Sequence, residues 1–217
     1  MTDPNLTHLY FLLDRSGSMQ SIKSDTEGGF DAFIAEQRST PGECRVTLVQ
    51  FDDEYEEVYR DVPVAHVPPL QLHPRGTTAL LDSIGRLIGD AGARLAALPE
   101  QDRPATVIVG IMTDGHENAS RELTHARVKA LIEQQTNEYS WRFLYMGADQ
   151  DAIEVGASIG VTAANSMTYA RGRVAAMMGM TSGNISRARV AAARGADRAE
   201  LDALLAYSEE QRGEAQE

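Results

Sequence analysis

The chain has 217 residues, 42% of them apolar, which suits one large domain with a real core. A formal net charge of −12 and a pI near 4.8 argue against general affinity for nucleic acid or for an anionic membrane surface, since both would repel it. A single cysteine, Cys44, cannot form an intramolecular disulfide; residues 1–14 show no basic n-region and no apolar stretch of signal-peptide length, and no run approaches the ~20 apolar residues that span a bilayer, so the expected location is the cytoplasm.

In chain order, Leu9 to Leu13 is a short apolar run, expected to be a buried strand, and it leads into the carboxylate of Asp14. Ile22 to Gln37 carries Ile22, Phe30, Phe33 and Ile34 at helical spacing. After the break "TPGE", Cys44–Phe51 and Tyr55–Val62 read as two strands. The turn at Asp52–Glu54 is so short that they must be antiparallel neighbours. A proline-rich loop from Val67 to Gly76 leads to a helical segment, Ala79–Leu98. "PATVIVGIMT", Pro104–Thr113, is apolar at consecutive positions, as a central parallel strand must be. Then come a helix over Arg121–Gln135, a strand over Trp141–Ala148, a short helix over Asp151–Ile159 and a weak strand over Val161–Tyr169. This alternation predicts an α/β fold whose mostly parallel sheet is covered by helices and carries one antiparallel edge strand.

From Ala170 the composition turns to Ala and Arg, with candidate hinges at Gly172, Gly179, Gly183 and Gly195. Val174–Met180 and Ala199–Tyr207 are amphipathic stretches, with an N-cap expected at Asp197, and Glu209–Glu217 is expected to fray. The division is residues 1–169 as the main domain and residues 170–217 as a helical extension packed on or appended to it.

The chemistry gathers where strands end. In such sheets, ligands bind beyond the C-terminal ends of the strands, where strand order reverses. Asp14 ends the first strand and is followed at alternate positions by Ser16 and Ser18; Asp114 ends the central one in "IMTDGHENAS"; the loop before the second helix adds Thr77 and Thr78 in "RGTTALLD". All are hard oxygen donors, and no Cys or His cluster suits zinc, so the pattern points to Mg²⁺ or Mn²⁺. Alone, Asp14 reads better as a helix N-cap; the three segments together do not.

The D-x-S-x-S of Asp14, Ser16 and Ser18, the threonine of "GTTAL" and the aspartate of "TDG" resemble the metal-ion-dependent adhesion site of the von Willebrand factor A domain family, in family order and over about Leu6 to Tyr169. The resemblance implies a six-stranded Rossmann-like, doubly wound sheet with helices on both faces and one Mg²⁺, with Mn²⁺ or Ca²⁺ as substitutes. It implies that Ser16, Ser18 and Thr78 touch the metal, and that Asp14 and Asp114 act directly or through water. It implies a protein partner that offers a Glu or Asp to the metal, in a bacterial or phage-type intracellular setting, within multi-protein assemblies that in some members include ATPases. No nucleic-acid or membrane partner is expected.

A different class of function is a Mg²⁺-dependent phosphotransferase or hydrolase with Asp14 as nucleophile, since the strand-end aspartate resembles that of haloacid-dehalogenase-like enzymes. Those enzymes carry a second aspartate two residues on, where this chain has Ser16. No P-loop lysine motif is present either. The sequence therefore favours a binding module over an enzyme.

Overall fold

Alternation along the first strand sets the whole architecture. The computed structural model describes residues 2–217. In it β1 runs Asp3–Asp14, longer than the apolar run, because Thr7 and His8 are also buried. Leu9, Phe11 and Leu13 point to one face of the sheet, and Tyr10 and Leu12 to the other. Both faces need cover, and helices supply it on each side.

The elements are β1, α1 (Lys23–Ser39), β2 (Glu43–Phe51), β3 (Tyr55–Pro63), α2 (Leu80–Ala97), β4 (Pro104–Thr113), α3 (His125–Tyr139), β5 (Arg142–Ala148), α4 (Ala152–Ser158), β6 (Ser166–Tyr169), α5 (Val174–Ala193), α6 (Arg198–Leu205) and α7 (Glu209–Glu214). The six strands lie in the order β3-β2-β1-β4-β5-β6. All neighbours are parallel except β2 and β3, so β3 is the antiparallel edge. On one face Phe11 meets Phe30 and Phe33 of α1 edge-on, each with ring centroids 5.1 Å apart, and α5 adds Met177, Met178 and Ile185. On the other, Tyr10, Leu12, Val109 and Ile111 pack under Leu80, Ile84 and Leu87 of α2 and Val128 and Ile132 of α3.

Several boundaries differ from the sequence reading. The third helix begins at His125 rather than Arg121. The reason is Asp82, whose carboxylate accepts from the backbone N–H groups of Arg121, Glu122 and Leu123 and holds them out of the helix. The last strand is only Ser166–Tyr169, since residues 163–165 form a 3₁₀ turn.

The tail is more ordered than its composition suggests. Gly179 and Gly183 sit inside one continuous 20-residue helix, α5, and break nothing. This helix seats against α1: Gln37 Nε2 donates to Ser182 Oγ at 2.9 Å, and buried Arg189 donates to Gln37 O at 2.9 Å. Glu209–Glu217 does not fray. Ser208 and Gln211 form a capping box that starts α7, Ala170 N donates to Ala215 O at 2.9 Å, and Arg212 donates to the carbonyl of Ser166. Leu201 and Leu205 of α6 are buried in the same core as β1. Among the described residues, no helix is long and apolar enough to cross a membrane.

Candidate functional site

β1 is flanked by β2 on one side and β4 on the other, so strand order reverses between β1 and β4. The crevice at their C-terminal ends gathers three loops: residues 15–22, 75–79 and 114–124. Backbone hydrogen bonds staple them together. Arg75 N donates to Arg15 O at 2.8 Å and Gly17 N to Gly76 O at 3.3 Å; Asn118 N donates to Thr78 O at 3.1 Å. Asn118 also accepts from Thr78 N through its side chain at 2.9 Å. Gly76 takes φ +64°, and a β-carbon there would strike Asp53 Oδ1 at 1.9 Å, so only glycine permits this approach.

The five residues picked out by sequence fall in this crevice. Asp14, the last residue of β1, is fully buried; Oδ1 accepts from Ser16 N and Oδ2 from Thr113 Oγ1, each at 2.6 Å. Ser16 Oγ and Ser18 Oγ are 3.1 Å apart, and Ser18 Oγ donates to Asp114 Oδ1 at 2.6 Å. Gly115 locates the fifth. A β-carbon built there would lie 3.1 Å from Thr78 Oγ1, 3.6 Å from Ser18 Oγ and 3.8 Å from Asp14 Oδ2. The absent side chain of Gly115 thus leaves a small space faced by oxygens of three of the five residues. Thr77 does not share it: that residue is exposed and its N–H donates to Asp53, whereas Thr78 is buried.

The electrostatics favour a cation. Burial pushes the Asp14 carboxyl up to about 6; the hydrogen bonds from Thr113 and Ser16 act against this, and the nearby charge of Asp114 adds to it. Asp114 Oδ2 is buried and accepts no hydrogen bond. Burial, and then the charges of Asp114 and Asp14, push the Tyr169 phenol well above its ordinary range. Two buried carboxylates, one with an oxygen that accepts no hydrogen bond and has only a half-exposed arginine 3.5 Å away, leave negative charge incompletely compensated. Two carboxylates and three hydroxyls are the chemistry that a hard divalent ion takes as ligands. Among the described residues, no three His, Cys, Asp or Glu side chains are grouped to hold a metal; the remaining oxygens here belong to hydroxyls.

Sequence reasoning missed the supports. Thr113 looked like the end of a strand, yet its hydroxyl holds Asp14. Asp52, after β2, is fully buried and accepts from Arg15 Nε at 3.1 Å and Arg75 Nε at 2.7 Å, while its carbonyl accepts from Ala79 N at 2.9 Å. Burial opposes the charge on Asp52, but Arg75, the Glu54 N–H and Arg15 together outweigh it and hold the carboxyl below its usual range. Glu117 and Asn118 tie the third loop to the start of α2, with Glu117 accepting from Leu81 N at 2.9 Å. A charged residue directly after a buried strand was the available signal, but its partner lay far along the chain.

No protein-family model matches the chain and no curated protein does. Solved structures do. Proximal thread matrix protein 1 from the mussel byssus is 15% identical, with a TM-score of 0.57, over 88% of this chain and 47% of that one. The ArnB paralog VWA2 from Sulfolobus acidocaldarius is 14% identical, with a TM-score of 0.52, over 82% of this chain and 45% of that one. The vWF domain of the type V pili tip protein Mfa5 from Porphyromonas gingivalis is 12% identical, with a TM-score of 0.57, over 83% of this chain and 94% of that one. The chain spans about half the length of the mussel and Sulfolobus proteins. At such identities the likeness is one of fold: a von Willebrand factor type A-like α/β fold.

Proposed function

We propose that the protein is a metal-dependent protein-binding module, an adaptor or scaffold of the von Willebrand factor A type with a metal-ion-dependent adhesion site. The observation that carries this reading is the convergence of Asp14, Ser16, Ser18, Thr78 and Asp114 beside Gly115, with Asp114 Oδ2 accepting no hydrogen bond. These residues would hold Mg²⁺, or Mn²⁺ or Ca²⁺ in its place. A cation held largely by neutral hydroxyls keeps much of its charge and so attracts one further anionic ligand, a Glu or Asp of another protein. Ser18 lies exposed at the mouth, where such a side chain would arrive.

The chain's own groups do the rest. Thr113 and the Ser16 N–H fix the Asp14 carboxylate, and the stapled loops hold Thr78 in line. Both Asp14 oxygens are engaged and the residue is fully buried, which suits a positioning role better than in-line attack on a substrate. A cytoplasmic, bacterial or phage-type setting and a multi-protein assembly, some with ATPases, remain part of this proposal. The test is a pull-down with Mg²⁺ against EDTA, read by mass spectrometry, with Asp14→Ala as control. Partners captured only with Mg²⁺ and only by wild type support the reading; an identical set in all three arms overturns it.

A further inference from the structure

Arg171 lies in the 3₁₀ turn between β6 and α5, far along the chain from the D-x-S-x-S segment, yet its guanidinium reaches the candidate site. Nη2 is 3.5 Å from Asp114 Oδ2, the oxygen that accepts no hydrogen bond. Nε is 2.8 Å from Asp149 Oδ2, in an ion pair without hydrogen-bond alignment. Nη1 donates to Ser21 Oγ at 3.1 Å, in the turn that carries Ser18. The side chain is 41% exposed, so its outer face is in water and it can swing away from the cluster at little packing cost. Asp149, its other anchor, sits on an exposed loop.

We infer that Arg171 is a tethered counter-cation that competes with a divalent metal for Asp114 and so sets the metal affinity of the site. This rests on the metal-site reading above. The physical reason is like-charge repulsion at short range in a poorly solvated place. At 3.5 Å, Arg171 partly neutralises Asp114; a divalent ion ligated by the same residue would stand a few ångströms from the guanidinium and repel it. Metal binding therefore includes the displacement of Arg171 from Asp114, and Asp149 retains the released side chain at the rim. Arg173, two residues on, offers a matched control: it carries the same charge in the same turn and forms no ion pair with Asp114.

The experiment is calorimetric titration of Mn²⁺ and of Mg²⁺ into wild type, Arg171→Gln, Arg171→Lys and Arg173→Gln, each first shown to be folded by its thermal midpoint. The expected result is about tenfold tighter binding for Arg171→Gln, consistent with loss of a nearby like charge. Arg171→Lys should fall between it and wild type, and Arg173→Gln should stay within about twofold of wild type. Should Arg171→Gln not fold, Arg171→Lys against Arg173→Gln decides the same question. Equal effects of the two Gln variants would overturn the inference, because net charge alone would explain them. Weaker binding by Arg171→Gln would also overturn it, since Arg171 would then help to build the site. Binding by none of the proteins would overturn the metal reading itself, and the inference with it.

Discussion

Ser18 Oγ donates to Asp114 Oδ1 at 2.6 Å, joining residues 96 positions apart. This bond ties the loop after β1 to the loop after β4 across the point where strand order reverses. It places an exposed hydroxyl and a buried carboxylate on one cluster, so substitutions on either side have separable effects on stability and on binding.

Saturating Mg²⁺ should raise the thermal midpoint. At a hundred times its dissociation constant, a ligand that binds only the folded state adds about 2.7 kcal/mol, or roughly 5–10 °C for a chain of this size. Asp14→Ala should stay folded and lose the shift. Asp14→Asn should lose it too. It should also be at least as stable as wild type without metal, because it removes a carboxylate that burial disfavours in its charged form, raising the carboxyl to about 6. A full Mg²⁺ shift in Asp14→Ala would remove Asp14 from the site.

Gly115→Ala should separate the site from the fold. Its β-carbon would stand 3.1 Å from Thr78 Oγ1, in the space the oxygens face. Gly115 is only half-buried, so stability should change by about 1 kcal/mol or less while cation affinity falls about tenfold or more. Calorimetry and a melting curve on the same sample check both halves; unchanged affinity would mean the ion sits elsewhere.

Asp52→Asn should damage the site from outside. It removes the carboxylate that buried Arg15 and Arg75 share, leaving Arg15 only Glu56 and Arg75, which borders the loop that carries Thr78, only Glu54. Breaking a buried pair costs about 3–5 kcal/mol, and the half-exposure of Arg75 with the partners that Glu56 and Glu54 still provide brings the expected loss to about 1–3 kcal/mol. Denaturant unfolding measures that cost, and Mg²⁺ titration of the folded variant should show weakened binding.

Acid sensitivity should trace in part to His8. Burial, with Arg94 and Arg45 nearby, lowers its imidazole to about 3, and its ring accepts or donates only to Thr47 Oγ1 at 2.9 Å while stacked 4.1 Å from Tyr10. Asp61 is the facing carboxylate, 3.8 Å from Nδ1. The folded value is below the unfolded one, so the unfolded chain binds the proton first and stability falls as pH drops below about 6.5. By pH 5 the loss is on the order of 2 kcal/mol. His8→Phe should flatten this limb of the stability–pH curve; an unchanged slope would place the sensitivity in the carboxylates.

What the sequence determined by itself was whatever depends on local periodicity. The apolar pattern of Pro104–Thr113 marks a central strand because both its faces must be dry, and the three-residue turn at Asp52–Glu54 forces the antiparallel edge. The spacing of Asp14, Ser16 and Ser18 was legible for the same reason, since all three lie within five residues. Tertiary structure decided the rest. The resemblance already pointed to Thr78 rather than Thr77; that the Thr78 hydroxyl lies beside Gly115 while Thr77 is exposed is a matter of loop packing. The start of the third helix was set by Asp82, some forty residues earlier, because its carboxylate outcompetes helix formation for the backbone N–H groups of residues 121–123. The tail folded back because Ala215 and Tyr207 found buried places beside β6 and α5, which no composition reveals. Arg171 reaches Asp114 for the same reason: a long side chain finds its partner through space, and the distance between them is a property of the assembled sheet, not of the residues around either one.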